Sequence, residues 1–208
     1  MEIRGEEVLL PVSAVSAFPR PHWLQGRVFG SRSEPTYRSH NLRVTYDDAV
    51  KLCAVEQEAA GLDVLTDGAQ YYEWEAPGFQ LEPIFHYIPE MLGGDVFEDK
   101  AVDMMPVFKE SPADVIHLEF TNKGFGELEA FRDFPVDKVL SVGVVDAKDT
   151  QVESPEIIAE RIRMALDIVP PERLLVAPDC GLGYFSRTTG YAKLRNMGRA
   201  VDIVRAEL

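Results

Sequence analysis

Short apolar runs recur along the chain, each closed by a polar or glycine-rich turn and followed by an amphipathic stretch. Successive strand and helix units of a parallel sheet are written this way. Leu9 to Ala17 is nearly continuous in apolar and small residues, which predicts a strand covered on both faces and stopped by Pro19 and Pro21. Val50, Cys53, Ala54 and Gln57 share one helical face, predicting a helix from Tyr46 to about Ala60 with Thr45 and Asp48 as its capping pair and Gly61 as its end. Cys53 on that face reads as core packing, where free cysteines usually lie. Leu62 to Thr66 predicts a second strand, ending in Asp67-Gly68.

The middle has no such period. Between Gln70 and Pro89 stand Tyr71, Tyr72, Trp74, Phe79, Phe85 and Tyr87, an aromatic-rich segment of the kind that lies over a barrel mouth, and Gly93-Gly94 marks a junction. A helix is expected over Val102 to Lys109. Beyond it the pattern is clearest, with strands predicted at Val115 to Phe120, Lys138 to Val145 and Leu174 to Ala177. Ser154, Pro155 and Glu156 open a helix whose buried stripe is Ile157, Ile158, Ile162, Ala165, Leu166 and Val169. A last helix runs from about Thr188 to Glu207, with Tyr191, Leu194, Met197 and Val201 on one face. The whole reads as one domain, 1–208: units 1–92, a junction 93–112 and units 113–208.

Composition narrows the function. A chain of 208 residues, 46% hydrophobic, can bury a sizeable core. Its 35 acidic against 21 basic residues leave a net charge of −14, which opposes phosphate backbones and anionic membrane surfaces, so neither nucleic acid nor membrane is an expected partner. The run Val8 to Phe18 follows Glu6 and Glu7 and contains Pro11, unlike a secretion signal. No run approaches the roughly 20 apolar residues that cross a bilayer. Cys53 and Cys180 make no disulfide framework, and a cytoplasmic protein is the expectation.

In sheets of this kind chemistry gathers where the strands end. Those ends carry Ala17-Phe18-Pro19, Asp67-Gly68, His117 and Glu119, Asp146 with Lys148, and Asp179-Cys180-Gly181. Cys180 stands in an open turn before Gly181 and Gly183, where it is either a metal ligand or nucleophile, or a small turn residue. Glu119 shares a strand face with His117 and Val115, as a site carboxylate or an ordinary ion-pair member. Asp67 reads first as a turn cap and only second as a site residue, and Asp146 with Lys148 first as an ion pair. His22, His40 and His86 show no metal-ligand spacing.

Several strings together are similar to one family. Val12-Ser13-Ala14-Val15-Ser16-Ala17-Phe18-Pro19-Arg20 resembles the first barrel strand of cobalamin-independent methionine synthases, and Gly143-Val144-Val145-Asp146 their penultimate one. Pro170-Pro171-Glu172-Arg173-Leu174 through Pro178-Asp179-Cys180-Gly181-Leu182 resembles their closing strand with its zinc cysteine, the most specific of the three.

The resemblance implies a (β/α)₈ TIM-type barrel, here incomplete with about five strands, in which zinc lowers the pKa of a substrate thiol for attack on a methyl or alkyl donor. It makes Glu119 and Cys180 zinc ligands, Asp146 and Lys148 catalytic, and Val15, Ala17 and Asp67 substrate-binding. The thiol in methionine synthases is homocysteine and the donor a methyltetrahydrofolate; relatives open epoxides with coenzyme M. Departures are plain. The family's His-x-Cys ligand pair has no counterpart before Glu119, Ala69 stands where a glutamate binds the homocysteine amino group, and Lys148 replaces a histidine. A barrel of about 250 residues is typical. The expectation is therefore a truncated alkyltransferase completed by a second chain or another copy of itself, or else an inactive relative serving as a binding module.

Overall fold

The computed structural model describes residues 1–3, 5–23, 40–70 and 105–208, with side chains from residue 44 onward in the third stretch. The aromatic segment after Gln70 and the Gly93-Gly94 junction lie outside the described residues.

A short hairpin, β1 (Glu2–Ile3) and β2 (Glu6–Glu7), turns through Gly5 at φ 84°. The main sheet holds β3 (Val115–Glu119), β4 (Val139–Val145) and β5 (Leu174–Pro178), all parallel, in the order β3-β4-β5. Val115 pairs with Val139 and Glu119 with Gly143; Leu140 pairs with Leu174 and Gly143 with Ala177. Two further segments continue it beyond β5 as single parallel bridges, Val12 to Val176 and Ser13 to Val64. The predicted strand Leu9 to Ala17 is thus cut down to a pairing point. Leu10 and Ser16 have φ of 49° and 50°, which breaks the extended backbone on either side. Leu62 to Thr66 likewise pairs only at Val64. Among the described residues, three strands and two single bridges stand where about five strands were expected, and ring closure is not seen there.

The helices are α1 (His40–Ala59), α2 (Met105–Glu110), α3 (Pro155–Leu166) and α4 (Arg187–Arg205). The helix expected from Tyr46 begins six residues earlier, at His40, so Thr45 is an interior residue and no cap. From Tyr46 onward it carries a buried stripe. Tyr46, Ala49, Cys53, Gln57 and Ala60 form that stripe. α3 begins as expected, Ser154 accepting from Ile157 N at 3.4 Å with Pro155 in the first turn, although Ile157 itself is 44% exposed and Ala159 takes its place in the core. Ser154→Ala should lower stability by about 1 kcal/mol, the usual value of an N-cap, as read by urea unfolding; no change would mean that Pro155 and packing alone start the helix.

Between β3 and β4 the chain makes two 3₁₀ turns, Thr121–Lys123 and Leu128–Asp133, not an α-helix. Gly124, Gly126 and Pro135 leave no long amphipathic run there. Phe120, Phe125, Phe131 and Phe134 stack in their place, with ring centroids 5.2 to 6.0 Å apart. α3 and α4 cover the sheet and each other, and α4 meets α1 where Gly198 touches the Ala60 carbonyl so closely that any Cβ would come within 2.4 Å of it. No described helix is long and apolar enough to cross a membrane.

Candidate functional site at the strand ends

Because β3, β4 and β5 are parallel and in register, Glu119, Asp146 and Asp179-Cys180 emerge along one edge of the sheet. Glu119 is half-buried. Its Oε2 accepts from Asn122 Nδ2 at 2.7 Å and from Lys148 Nζ at 3.1 Å. The expected Asp146–Lys148 ion pair is replaced by this one. Asp146 Oδ1 instead accepts from the backbone N–H of Lys148 at 2.6 Å and of Asp149 at 3.2 Å, folding its own loop. That loop is held from below by a fully buried lysine. Lys193 Nζ donates to the carbonyls of Asp146 and Gln151 and to Glu153 Oε2, while Glu153 Oε1 accepts from Asp146 N and Arg161 Nη1.

Cys180 is exposed as a residue, yet its thiol is held above the ordinary value. Desolvation at the crowded sheet end is the main cause, with Glu119 and Asp179 acting in the same direction; the Gly181 N–H and the Lys148 ammonium oppose them. The thiolate is the nucleophile and the metal ligand, so these surroundings alone do not activate Cys180. The turn around it lies against Ala17: a Cβ on Gly181 would sit 2.8 Å from Ala17 N, and one on Gly183 2.9 Å from Ala17 Cβ. Cys53, by contrast, is fully buried in α1, and burial pushes its thiol up to about 11. It is core.

Of the residues picked out from the sequence, Glu119, Lys148 and Cys180 come together, with Ala17 against the Cys180 turn. Val15 is half-buried beside it in the chain. Asp67 is exposed, and its Oδ1 caps the local turn by accepting from Ala69 N at 2.9 Å; Phe18 N donates to Gly68 O, tying that turn next to Ala17. His117 is a tie between strands, not a free ligand. Its Nε2 meets the Asp179 carbonyl at 3.0 Å, so in the neutral ring Nε2 carries the proton and Nδ1 accepts from Ser141 Oγ at 2.9 Å.

The sequence points to Asp179 only as the neighbour of Cys180 and to Gly143 only within the Gly143-Val144-Val145-Asp146 string, and not at all to Ser141 or Lys193. An isolated glycine inside an apolar strand run signals close approach of another group, and Gly143 carried that signal. A buried lysine inside an amphipathic helix carries none.

Glu119 and Cys180 have the right donor atoms for zinc, but a zinc site takes about four ligands. No group of three or more His, Cys, Asp and Glu gathers among the described residues, and an ammonium already sits on Glu119. The described residues therefore do not by themselves fit a zinc centre.

A parallel α/β sheet with acid, thiol and lysine at its strand ends is the architecture of many metabolic enzymes, and fold alone does not choose among them. Residues 66–202, more than half of the chain, match the family described as cobalamin-independent synthase, catalytic domain. The chain belongs to that family. It is 43% identical over 91 residues to the methionine synthase of Thermococcus kodakarensis, covering 44% of this chain and 27% of that protein. It is 38% identical over 103 residues to the methionine synthase of Saccharolobus solfataricus, covering 50% and 31%. The matched stretches thus span less than a third of these relatives' length. A B12-independent methionine synthase from Shewanella, solved in complex with selenomethionine, superposes with a TM-score of 0.73 at 15% identity, covering 96% of this chain and 99% of that one, which supports the shared fold.

Proposed function

We propose that the chain serves thiol methyl or alkyl transfer of the cobalamin-independent methionine synthase type, on an incomplete (β/α)₈ barrel. The observation that carries this reading is the convergence of Glu119 and Cys180, on strands two positions apart, beside the Ala17 turn in a chain of that family. Glu119 and Cys180 are two donors of a zinc site that further donors, from elsewhere in the chain or from a second chain or copy, would complete. Zinc in a complete donor set would lower the pKa of a substrate thiol bound to it. Val15, Ala17 and Asp67 would line the substrate side; Lys148 and Asp146 would act at the reacting end. With Ala69 in place of a carboxylate, a thiol lacking an ammonium group fits better than homocysteine. The Lys148–Glu119 pair favours a second reading, a relative that binds a small molecule without catalysing transfer, since the ammonium competes with a metal for that carboxylate.

Elemental analysis of the purified chain beside Cys180→Ala, with the oligomeric mass measured in the same buffer, separates the two. Close to one zinc per chain or per dimer, lost in Cys180→Ala, is the expected result. Zinc-free folded protein even after metal is added would sink transfer by this chain alone.

A further inference from the structure

The residue before Cys180 is 2% exposed and tied in every direction. Asp179 N donates to the Val145 carbonyl of β4 at 2.9 Å, and its own carbonyl accepts from His117 of β3. Its carboxylate crosses over β4 to the far strand: Oδ1 accepts from Phe120 N at 3.2 Å and Thr121 N at 3.1 Å, and Oδ2 from Asn122 N at 3.1 Å. These are the amides that follow directly on Glu119. The crossing is open only because the strand between carries Gly143 at that level, where a Cβ would lie 2.3 Å from Asp179 Oδ1 and 3.0 Å from the Leu118 carbonyl. On its other side the Cys180 turn is fixed by Ala17 against Gly181.

We propose that Asp179 is a positioning residue: its carboxylate clamps the turn after β3 to the end of β5 and so sets Cys180 at a fixed place relative to Glu119. The clamp stands on its own geometry. Its consequence for the reaction rests on the function proposed above. Charge-assisted bonds from a buried carboxylate to backbone amides are among the stronger hydrogen bonds in proteins, and a carboxylate oxygen that accepts two amides leaves little freedom to the residue that follows it. Asp179 is not a donor to the site in this arrangement, because both of its oxygens face the amides of residues 120–122.

Amide exchange and amide resonances of Asp179→Ala and Asp179→Asn, read by NMR on the full chain, test the clamp. In Asp179→Ala the amides of Phe120, Thr121 and Asn122 should exchange about tenfold faster or more, while those of Val142 and Val176 keep their protection. The Cys180 and Gly181 resonances should move or broaden. Asn retains one acceptor oxygen, so Asp179→Asn should free Asn122 alone and return Cys180 and Gly181 towards their wild-type positions; that selective pattern decides the matter even where Asp179→Ala fails to fold. Unchanged amides at 120–122, or unmoved Cys180 and Gly181 resonances with those amides freed, would overturn the clamp. Titration with Co²⁺, followed by its thiolate charge-transfer absorption, reads the consequence separately. Binding about tenfold weaker in Asp179→Ala and partly restored in Asp179→Asn supports it. A wild-type chain that takes up no Co²⁺ counts against the transferase reading and leaves the clamp to the amide result.

Discussion

Gly143→Ala is expected to cost on the order of 3 kcal/mol or more, enough to consume much of the ~5–15 kcal/mol that holds a typical domain folded. Gly143 does not need glycine for its dihedrals, since its φ is not positive. It needs glycine for space. The added methyl would meet Asp179 Oδ1 at 2.3 Å, Asp179 Cα at 2.8 Å and the Leu118 carbonyl at 3.0 Å. Two of those three atoms are backbone, on the strands at either side, and cannot swing away. Relief requires either that β3 and β5 part or that the Asp179 side chain leaves its amides. Gly126→Ala is the control, with nothing within 4 Å of its Cβ, and should stay within about 0.5 kcal/mol of wild type. Guanidinium unfolding of both variants checks this. A Gly143→Ala protein as stable as Gly126→Ala would mean that the strands have more slack than the sheet geometry allows.

The second large effect belongs to Lys193→Met, expected to lower stability by about 3 kcal/mol. Lys193 is fully buried, stacks its ammonium 5.3 Å from the Phe185 ring centre, and donates to three acceptors at 2.6 to 3.0 Å. Methionine fills the stem but leaves the Asp146 and Gln151 carbonyls unpaired at that point and Glu153 with Arg161 as its remaining ion-pair partner. Glu153→Gln should cost a comparable amount by stranding the ammonium. The double variant should cost less than the sum of the singles, because each single change leaves the other's partner buried without its counterpart. Losses below about 1 kcal/mol would place the pair with exposed ion pairs. The loop that Lys193 holds is the one that carries Asp146 and Lys148, so Lys193→Met should also loosen the Lys148–Glu119 contact.

The three strands after residue 113 and the two helices between and after them were legible because their patterns are local. β4 and β5 are buried on both faces and read as unbroken apolar runs, while α3 announces itself with Ser154 and Pro155 and repeats its apolar residues at helical spacing. The first unit was misread in extent for the opposite reason. Leu9 to Ala17 is apolar enough for a strand, but whether an apolar run pairs along its length depends on neighbours distant in sequence, and the positive φ at Leu10 and Ser16 belongs to the way this segment packs.

The candidate site divides in the same way. That polar residues would stand at the ends of parallel strands followed from the strand pattern alone, and the strings around Ala17, Asp146 and Cys180 pointed to the family to which the chain belongs. Which of those residues meet was decided only in three dimensions. Asp146 and Lys148 share a face by parity, yet the chain turns sharply after Val145, so Asp146 bonds its own backbone and Lys148 reaches Glu119 across the sheet. Asp179 lies beside Cys180 in sequence but bonds amides 57 to 59 residues away, over a glycine on a third segment. Sequence determines spacing along one strand, because side chains alternate with a fixed period of two. Register between strands sets which ends coincide, and register is a property of the packed sheet.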